Sequence, residues 1–152
     1  MTTGLLTSRR AFIAGSLATP LILRMTPALA TPETMQIAID EFTGGAEVSV
    51  GRVELDIPLL VENGNTVPLR VAVESAMTQD DYVEAVAIFN EINPLPDTVR
   101  FYFTPASGRA EAQTRIRLNG TQHVHAVARM SDGSFWSAET NVVVTAPACR
   151  ET

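Results

Sequence analysis

The sequence contains no lysine, two histidines and a single cysteine, Cys149, among its 152 residues. One cysteine cannot form a disulfide within the chain, and so few histidines and thiols leave little material for a metal site or a catalytic nucleophile. Because the chain has no lysine, all 11 residues with a permanent positive charge are arginines. Beyond residue 30, eight arginines face 17 acids, which gives a net charge of −9. Such a body argues against nucleic acid and anionic membrane surfaces as partners, because both are polyanions.

The first 30 residues have the order of an export signal. Arg9 and Arg10 directly precede an apolar run over residues 11–23, and Ala28-Leu29-Ala30 has the small–x–small pattern of a cleavage site. The run is too short to cross a bilayer, which takes about 20 apolar residues. The S-R-R-x-F pattern is typical of a twin-arginine signal; a Sec signal that happens to contain two arginines is the alternative. We therefore expect a periplasmic protein with no membrane segment once residues 1–30 are removed.

One short helix should open the mature chain. Thr31 supplies a capping hydroxyl and Pro32 a proline at the first helical position. Gly44-Gly45 should end the helix. Between them, apolar residues recur with the spacing of one helical face: Met35, Ala38, Ile39 and Phe42. The sequence predicts a helix over about residues 32–43.

From Glu47 onward, apolar and polar residues alternate in short segments. A turn signal separates these segments every eight to twelve residues, which is typical of a two-sheet β-sandwich. The more fully apolar segment 82–89 should be a central strand. Residues 110–118 should pair with residues 99–103 across the turn between them. We predict one all-β domain over residues 31–145 and a flexible C-terminal tail over residues 146–152.

The reactive side chains form no recognisable catalytic motif. His123 and His125 should share one face of a strand, since alternate residues point to the same side. No nearby cysteine or carboxylate pattern completes a metal site around them. The carboxylates show no pair spaced for acid–base chemistry, and Gly44-Gly45 lacks the lysine of a phosphate-binding loop. We expect no metal and no cofactor.

Cys149 is the remaining candidate, and it lies in the last eight residues, TAPACRET. Burial as a small apolar residue, a disulfide with another chain and an incidental thiol are all open interpretations. The alternation ends near Val144, so five extended residues would carry the sulfur roughly 17 Å from the sandwich. Arg150 should favour the thiolate. The residues alone support a functional arm and an incidental tail equally.

Four segments carry a resemblance to a known family: ENGNTVPL at 62–69, FTPASGRAE at 103–111, TRIRL at 114–118 and MSDGSF at 130–135. In order and spacing they resemble SoxY, the sulfur-carrier subunit of the bacterial thiosulfate-oxidising Sox system, over essentially the whole mature chain. The resemblance implies an immunoglobulin-like β-sandwich and a heterodimer with a SoxZ-like subunit. It also implies that sulfur intermediates are carried covalently on a cysteine near the C-terminus, which is the position of Cys149.

The resemblance further implies a carrier and not an enzyme. Catalysis would belong to partners: a c-type cytochrome that attaches the sulfur, a hydrolase that releases sulfate and a sulfane dehydrogenase. A non-carrying paralogue that acts as a binding or scaffold module with a SoxZ-like partner is the alternative. The family's arm ends Gly-Gly-Cys-Gly-Gly, whereas Pro147, Ala148 and Arg150 surround the cysteine here. Glycines give a pliable arm, and Pro147 stiffens this one.

Overall fold

A computed structural model describes residues 30–148 of the chain. Arg9 and Arg10 of the predicted signal, and Cys149, lie outside the described residues. Over residues 30–148, no helix has the length and apolarity needed to cross a bilayer. The elements follow in chain order: helix α1 (Pro32–Thr43), then strands β1 (Val48–Val50), β2 (Val53–Asp56), β3 (Leu60–Val61), β4 (Val67–Val73), β5 (Val83–Asn90), β6 (Asp97–Tyr102), β7 (Ala110–Ile116), β8 (Gln122–Met130) and β9 (Phe135–Val144).

Helix α1 begins and ends where its capping residues predict. The Thr31 hydroxyl accepts a hydrogen bond from the backbone N–H of Thr34 at 3.2 Å, and the backbone N–H of Thr31 donates to the Thr34 hydroxyl at 2.6 Å. These reciprocal bonds satisfy N–H groups that have no partner within the helix. Gly44 ends the helix in the left-handed conformation, with φ of 66°. The apolar stripe of the helix is buried through Met35, Ile39 and Phe42.

The strands form two sheets that pack face to face. The larger sheet has the order β1-β9-β8-β5-β6, with β3 also paired to β9, and the smaller has the order β2-β4-β7. Strands β1 and β3 run parallel to β9, and the other pairs are antiparallel. This architecture confirms the prediction of an all-β, immunoglobulin-like sandwich with a short N-terminal helix.

Strand β5 lies at the centre of the larger sheet and is apolar on both faces because both faces are covered. On one side Val86 and Ile88 pack into the core between the sheets. On the other side Ala87 and Phe89 pack against α1. All four residues have no exposed surface. Burial on two faces explains why this segment does not alternate.

One predicted strand pairing is wrong. Strand β6 pairs with β5 in the larger sheet, and β7 pairs with β4 in the smaller sheet, so residues 99–103 and 110–118 are not partners. A single 3₁₀ turn, Pro105–Ser107, followed by Gly108 with φ of 70°, carries the chain from one sheet to the other. Alternation shows which face of a strand is buried, and it is the same whichever sheet the strand joins.

Candidate functional site

The described part of the candidate site is the segment that leads to Cys149. Strand β9 pairs with β8 along most of its length and with the two-residue strand β3 at its end, where Leu60 lies opposite Val143 and Val61 opposite Val144. Val142 and Val144 are buried in the sandwich core. Strand β9 therefore fixes the position at which the C-terminal segment leaves the sheet.

Residues 145–148 do not leave the sandwich after Val144. The N–H of Thr145 donates to the carbonyl of Val61 at 2.9 Å, and the carbonyl of Ala146 accepts from the N–H of Gly64 at 2.8 Å. The N–H of Ala148 then donates to the carbonyl of Leu118 at 3.1 Å. Backbone hydrogen bonds thus hold residues 145–148 against the body, in the first part of the segment for which the sequence predicts a flexible tail.

Three backbone segments meet at Gly64. Besides donating to Ala146, Gly64 accepts at its carbonyl from the N–H of Leu118 at 2.9 Å. Leu118 has no exposed surface, so this contact is fixed from the core side. We call the arrangement of residues 145–148 on Gly64 and Leu118 the C-terminal clasp.

Gly64 is required at this point for space. A Cβ atom on Gly64 would lie 2.3 Å from the carbonyl oxygen of Leu118, 3.0 Å from the nitrogen of Ala148 and 3.1 Å from the carbonyl oxygen of Ala146. These neighbours are backbone atoms and cannot turn aside as a flexible side chain would. Asn63 and Gly64 lie in the connection between β3 and β4, which belong to different sheets.

The outer face of the smaller sheet has acids at one end and arginines at the end near the clasp. Arg70 bonds to Glu111 at 2.8 Å and to Glu54 at 3.2 Å. The hydrogen bond and charge of Arg70 lower the pKa of Glu111 below its ordinary value. Arg115 and Arg117 are exposed, and no carboxylate within residues 30–148 lies at ion-pair distance from either. Arg117 directly precedes Leu118, and the exposed Glu62 also borders the clasp, where its carbonyl accepts from the Thr145 hydroxyl at 3.4 Å.

His123 and His125 lie together on the outer face of β8, with ring centroids 6.5 Å apart. Each faces a carboxylate: His123 Nδ1 lies 3.1 Å from Glu91, and His125 Nε2 lies 3.4 Å from Glu139. Burial lowers the pKa of His125 below its ordinary value, and the charge of Glu139 partly opposes that effect. In the described part of the chain, no group of three or more histidine, cysteine, aspartate or glutamate side chains is arranged to hold a metal ion.

These features define an immunoglobulin-like sandwich whose C-terminal segment is fastened to the body one residue before the only cysteine. The sequence matches the family described as "Sulfur oxidation protein SoxY" over residues 39–149, so that the match ends at Cys149. The chain belongs to the SoxY family.

Solved structures show the same fold. The sulfur carrier protein SoxY from Chlorobium limicola f thiosulfatophilum superposes with a TM-score of 0.63 at 23% identity, over 74% of this chain and 92% of that one. A superoxide reductase (neelaredoxin) from Ignicoccus hospitalis gives 0.55 at 13% identity, over 62% and 80%. The superoxide reductase from Nanoarchaeum equitans gives 0.53 at 11% identity, over 63% and 100%. At such identities the similarity concerns the fold alone. No curated protein matches the sequence significantly.

Proposed function

We propose that this protein is a periplasmic sulfur carrier of the Sox system, which binds sulfur-oxidation intermediates covalently on Cys149 and presents them to partner enzymes. The observation that carries the proposal is the family match over residues 39–149, because it extends to the chain's only thiol. A carrier needs one nucleophilic sulfur at an accessible end of the chain. It needs no catalytic constellation of its own.

Two arginines lie close to the cysteine, one in the sequence and one beside the clasp. Arg150 follows Cys149 in the sequence, and Arg117 precedes Leu118, whose carbonyl holds Ala148. Nearby cations lower the pKa of a thiol and increase the fraction present as thiolate, which is the reacting form. The same cations would stabilise the negative charge of an anionic adduct such as a cysteine-bound thiosulfonate.

The chemistry divides between the carrier and its partners. Attachment of thiosulfate forms a bond between the Cys149 thiolate sulfur and the outer sulfur of thiosulfate, and the two electrons released pass to a c-type cytochrome. Hydrolysis by a partner then breaks the bond between the outer sulfur and the sulfonate group. Water supplies the oxygen, sulfate leaves, two protons are released, and a persulfide stays on Cys149. A SoxZ-like subunit is the proposed second half of a heterodimer, and export by the twin-arginine route would carry the two together.

Intact-mass measurement tests the proposal. The purified protein with its SoxZ-like subunit is incubated with thiosulfate and the partner cytochrome, or with polysulfide alone. We expect a mass increase that maps to Cys149, that dithiothreitol reverses, and that is missing in Cys149→Ser. An unmodified Cys149 under both conditions would refute covalent carriage.

The second candidate is a SoxY-family protein that keeps a SoxZ-like partner and no longer carries sulfur. The observation in its favour is the sequence around the cysteine, where Pro147, Ala148 and Arg150 stand in place of glycines. Complementation separates the two. Cys149→Ser should abolish thiosulfate-dependent sulfate production if the protein is a carrier, and should leave it unchanged if the protein is a scaffold.

A further inference from the structure

We infer that Gly64 and Leu118 are positioning residues that set the point where the Cys149-bearing segment leaves the body. On this inference that point is Ala148 and not the end of β9 at Val144. The inference rests on the proposed function, in which Cys149 reacts, and adds what determines how far its sulfur can reach. It is carried by the hydrogen bonds of the C-terminal clasp and by the close approach at Gly64.

The clasp changes the reach by a large factor. A segment free from Val144 would place Cys149 up to roughly 17 Å from the sandwich, since each extended residue spans about 3.4 Å. With Ala148 bonded to Leu118, the Cα of Cys149 lies only one peptide unit, about 3.8 Å, beyond a fixed residue. A partner whose reactive group lies near its surface can reach the sulfur with the clasp closed. A partner with a recessed reactive group requires the clasp to open.

The residues of the segment suit a clasp that opens without disturbing the core. Residues 145–148 are Thr, Ala, Pro and Ala, and none of them is fully buried. Their attachment is therefore mainly through backbone hydrogen bonds, whereas Val142 and Val144 remain packed in the core. Pro147 also fits this form, because its missing N–H is not needed by any bond of the clasp and its fixed φ reduces the freedom lost on closing.

The chain contains one tryptophan, Trp136, which serves as energy donor, and one cysteine, to which an acceptor fluorophore can be attached. Trp136 lies eight residues before Val144 on the same strand, or about 27 Å along it, so transfer to a fluorophore on Cys149 is sensitive to the position of the segment. Time-resolved energy transfer in the labelled full chain with its SoxZ-like subunit measures the distribution of this distance. We expect a narrow distribution in the wild type and a distribution at least twofold broader, extending to longer distances, in Gly64→Ala.

Two controls keep the test decisive. Gly45→Ala introduces a Cβ at another glycine, with φ of 78°, where it meets no atom within 4 Å, and should leave the distribution narrow. Ala148→Pro removes the N–H that donates to Leu118 and should broaden the distribution even if Gly64→Ala fails to fold. Ala146→Pro is its matched control, because only the carbonyl of Ala146 takes part in the clasp.

Equal widths in the wild type and in folded Ala148→Pro would overturn the inference, as would a broad wild-type distribution. The readout does not depend on sulfur chemistry. A narrow wild-type distribution that broadens in these variants would support the positioning role even if the mass measurement showed no adduct on Cys149, so the two proposals can fail separately.

Discussion

Replacing Phe42 by alanine should detach or weaken the N-terminal helix by a measurable amount. Phe42 is the largest apolar side chain that α1 contributes to the layer covering the outer face of the larger sheet. Its ring meets Phe89 and Phe135 edge-on, each with a centroid distance of 6.0 Å. The guanidinium of Arg100 lies 5.3 Å from the centroid of the same ring.

The contacts set the expected size of the effect. Truncating a buried phenylalanine to alanine costs about 3–5 kcal/mol, and each edge-to-face aromatic pair contributes about 0.5–1.5 kcal/mol beyond the buried area. Because α1 is terminal, the chain can limit the loss by releasing the helix, which leaves the fully buried Phe89 exposed. We therefore expect the lower end of the range, a loss of about 3 kcal/mol in the free energy of unfolding, together with reduced helical circular dichroism.

Urea unfolding followed by Trp136 fluorescence and far-ultraviolet circular dichroism measures the loss. The matched control is Ile37→Ala on the same helix, since Ile37 is 57% exposed and its replacement should change stability by no more than about 0.5 kcal/mol. A loss below about 1 kcal/mol for Phe42→Ala, or equal losses for the two variants, would show that α1 is not held by this aromatic cluster.

Two further predictions concern pH. Arg70 lowers the folded-state pKa of Glu111 below 4.5, so the pair adds stability above the unfolded pKa that is lost as the pH falls through the folded value. Arg70→Gln should therefore lose less stability than the wild type when the urea midpoint is followed to acid pH, and an unchanged acid slope would contradict this. Burial lowers the folded-state pKa of His125 below 6.5, so the unfolded chain binds the proton first and stability falls as the pH drops below 6.5. Glu91, Glu139 and His123 also face the ring of His125. His125→Gln should remove the dependence of stability on pH in this range, measured by the same assay. If the dependence is kept in full, it comes from another group.

Local chemistry made the helix and the central strand predictable. The bounds of α1 follow from Thr31, Pro32 and Gly44, whose effects act within one turn. The β8–β9 hairpin likewise follows from Asp132-Gly133, where Gly133 adopts φ of 83°. The partner of β7 was not predictable, because half-buried strands of the two sheets carry the same alternation and only the three-dimensional path selects one.

The clasp could not be predicted from the sequence for a different reason. Its bonds join backbone groups of Thr145, Ala146 and Ala148 to backbone groups of the body, and backbone groups are common to all residue types. Gly64 is the position where the clasp requires one particular residue type, and a glycine after asparagine is fully explained by a turn. Residue patterns therefore predicted the sandwich, and the resemblance singled out the cysteine, but neither indicated how residues 145–148 before it are held.

The position of Gly64 explains how this chain can lack the Gly-Gly-Cys-Gly-Gly ending that the resemblance implies. A backbone can approach another closely only where at least one of the two lacks a Cβ in the way. Here the missing Cβ is in the body, at Gly64, which leaves room for the carbonyl of Leu118 and for the backbone of Ala146 and Ala148. The segment itself is then free to contain Ala-Pro-Ala, and Pro147 lowers the entropy lost when it docks. Ala148→Gly should therefore leave sulfur loading intact and modestly broaden the Trp136–Cys149 distance distribution, because docking would cost the more flexible segment more chain entropy. A narrower distribution in Ala148→Gly would contradict it.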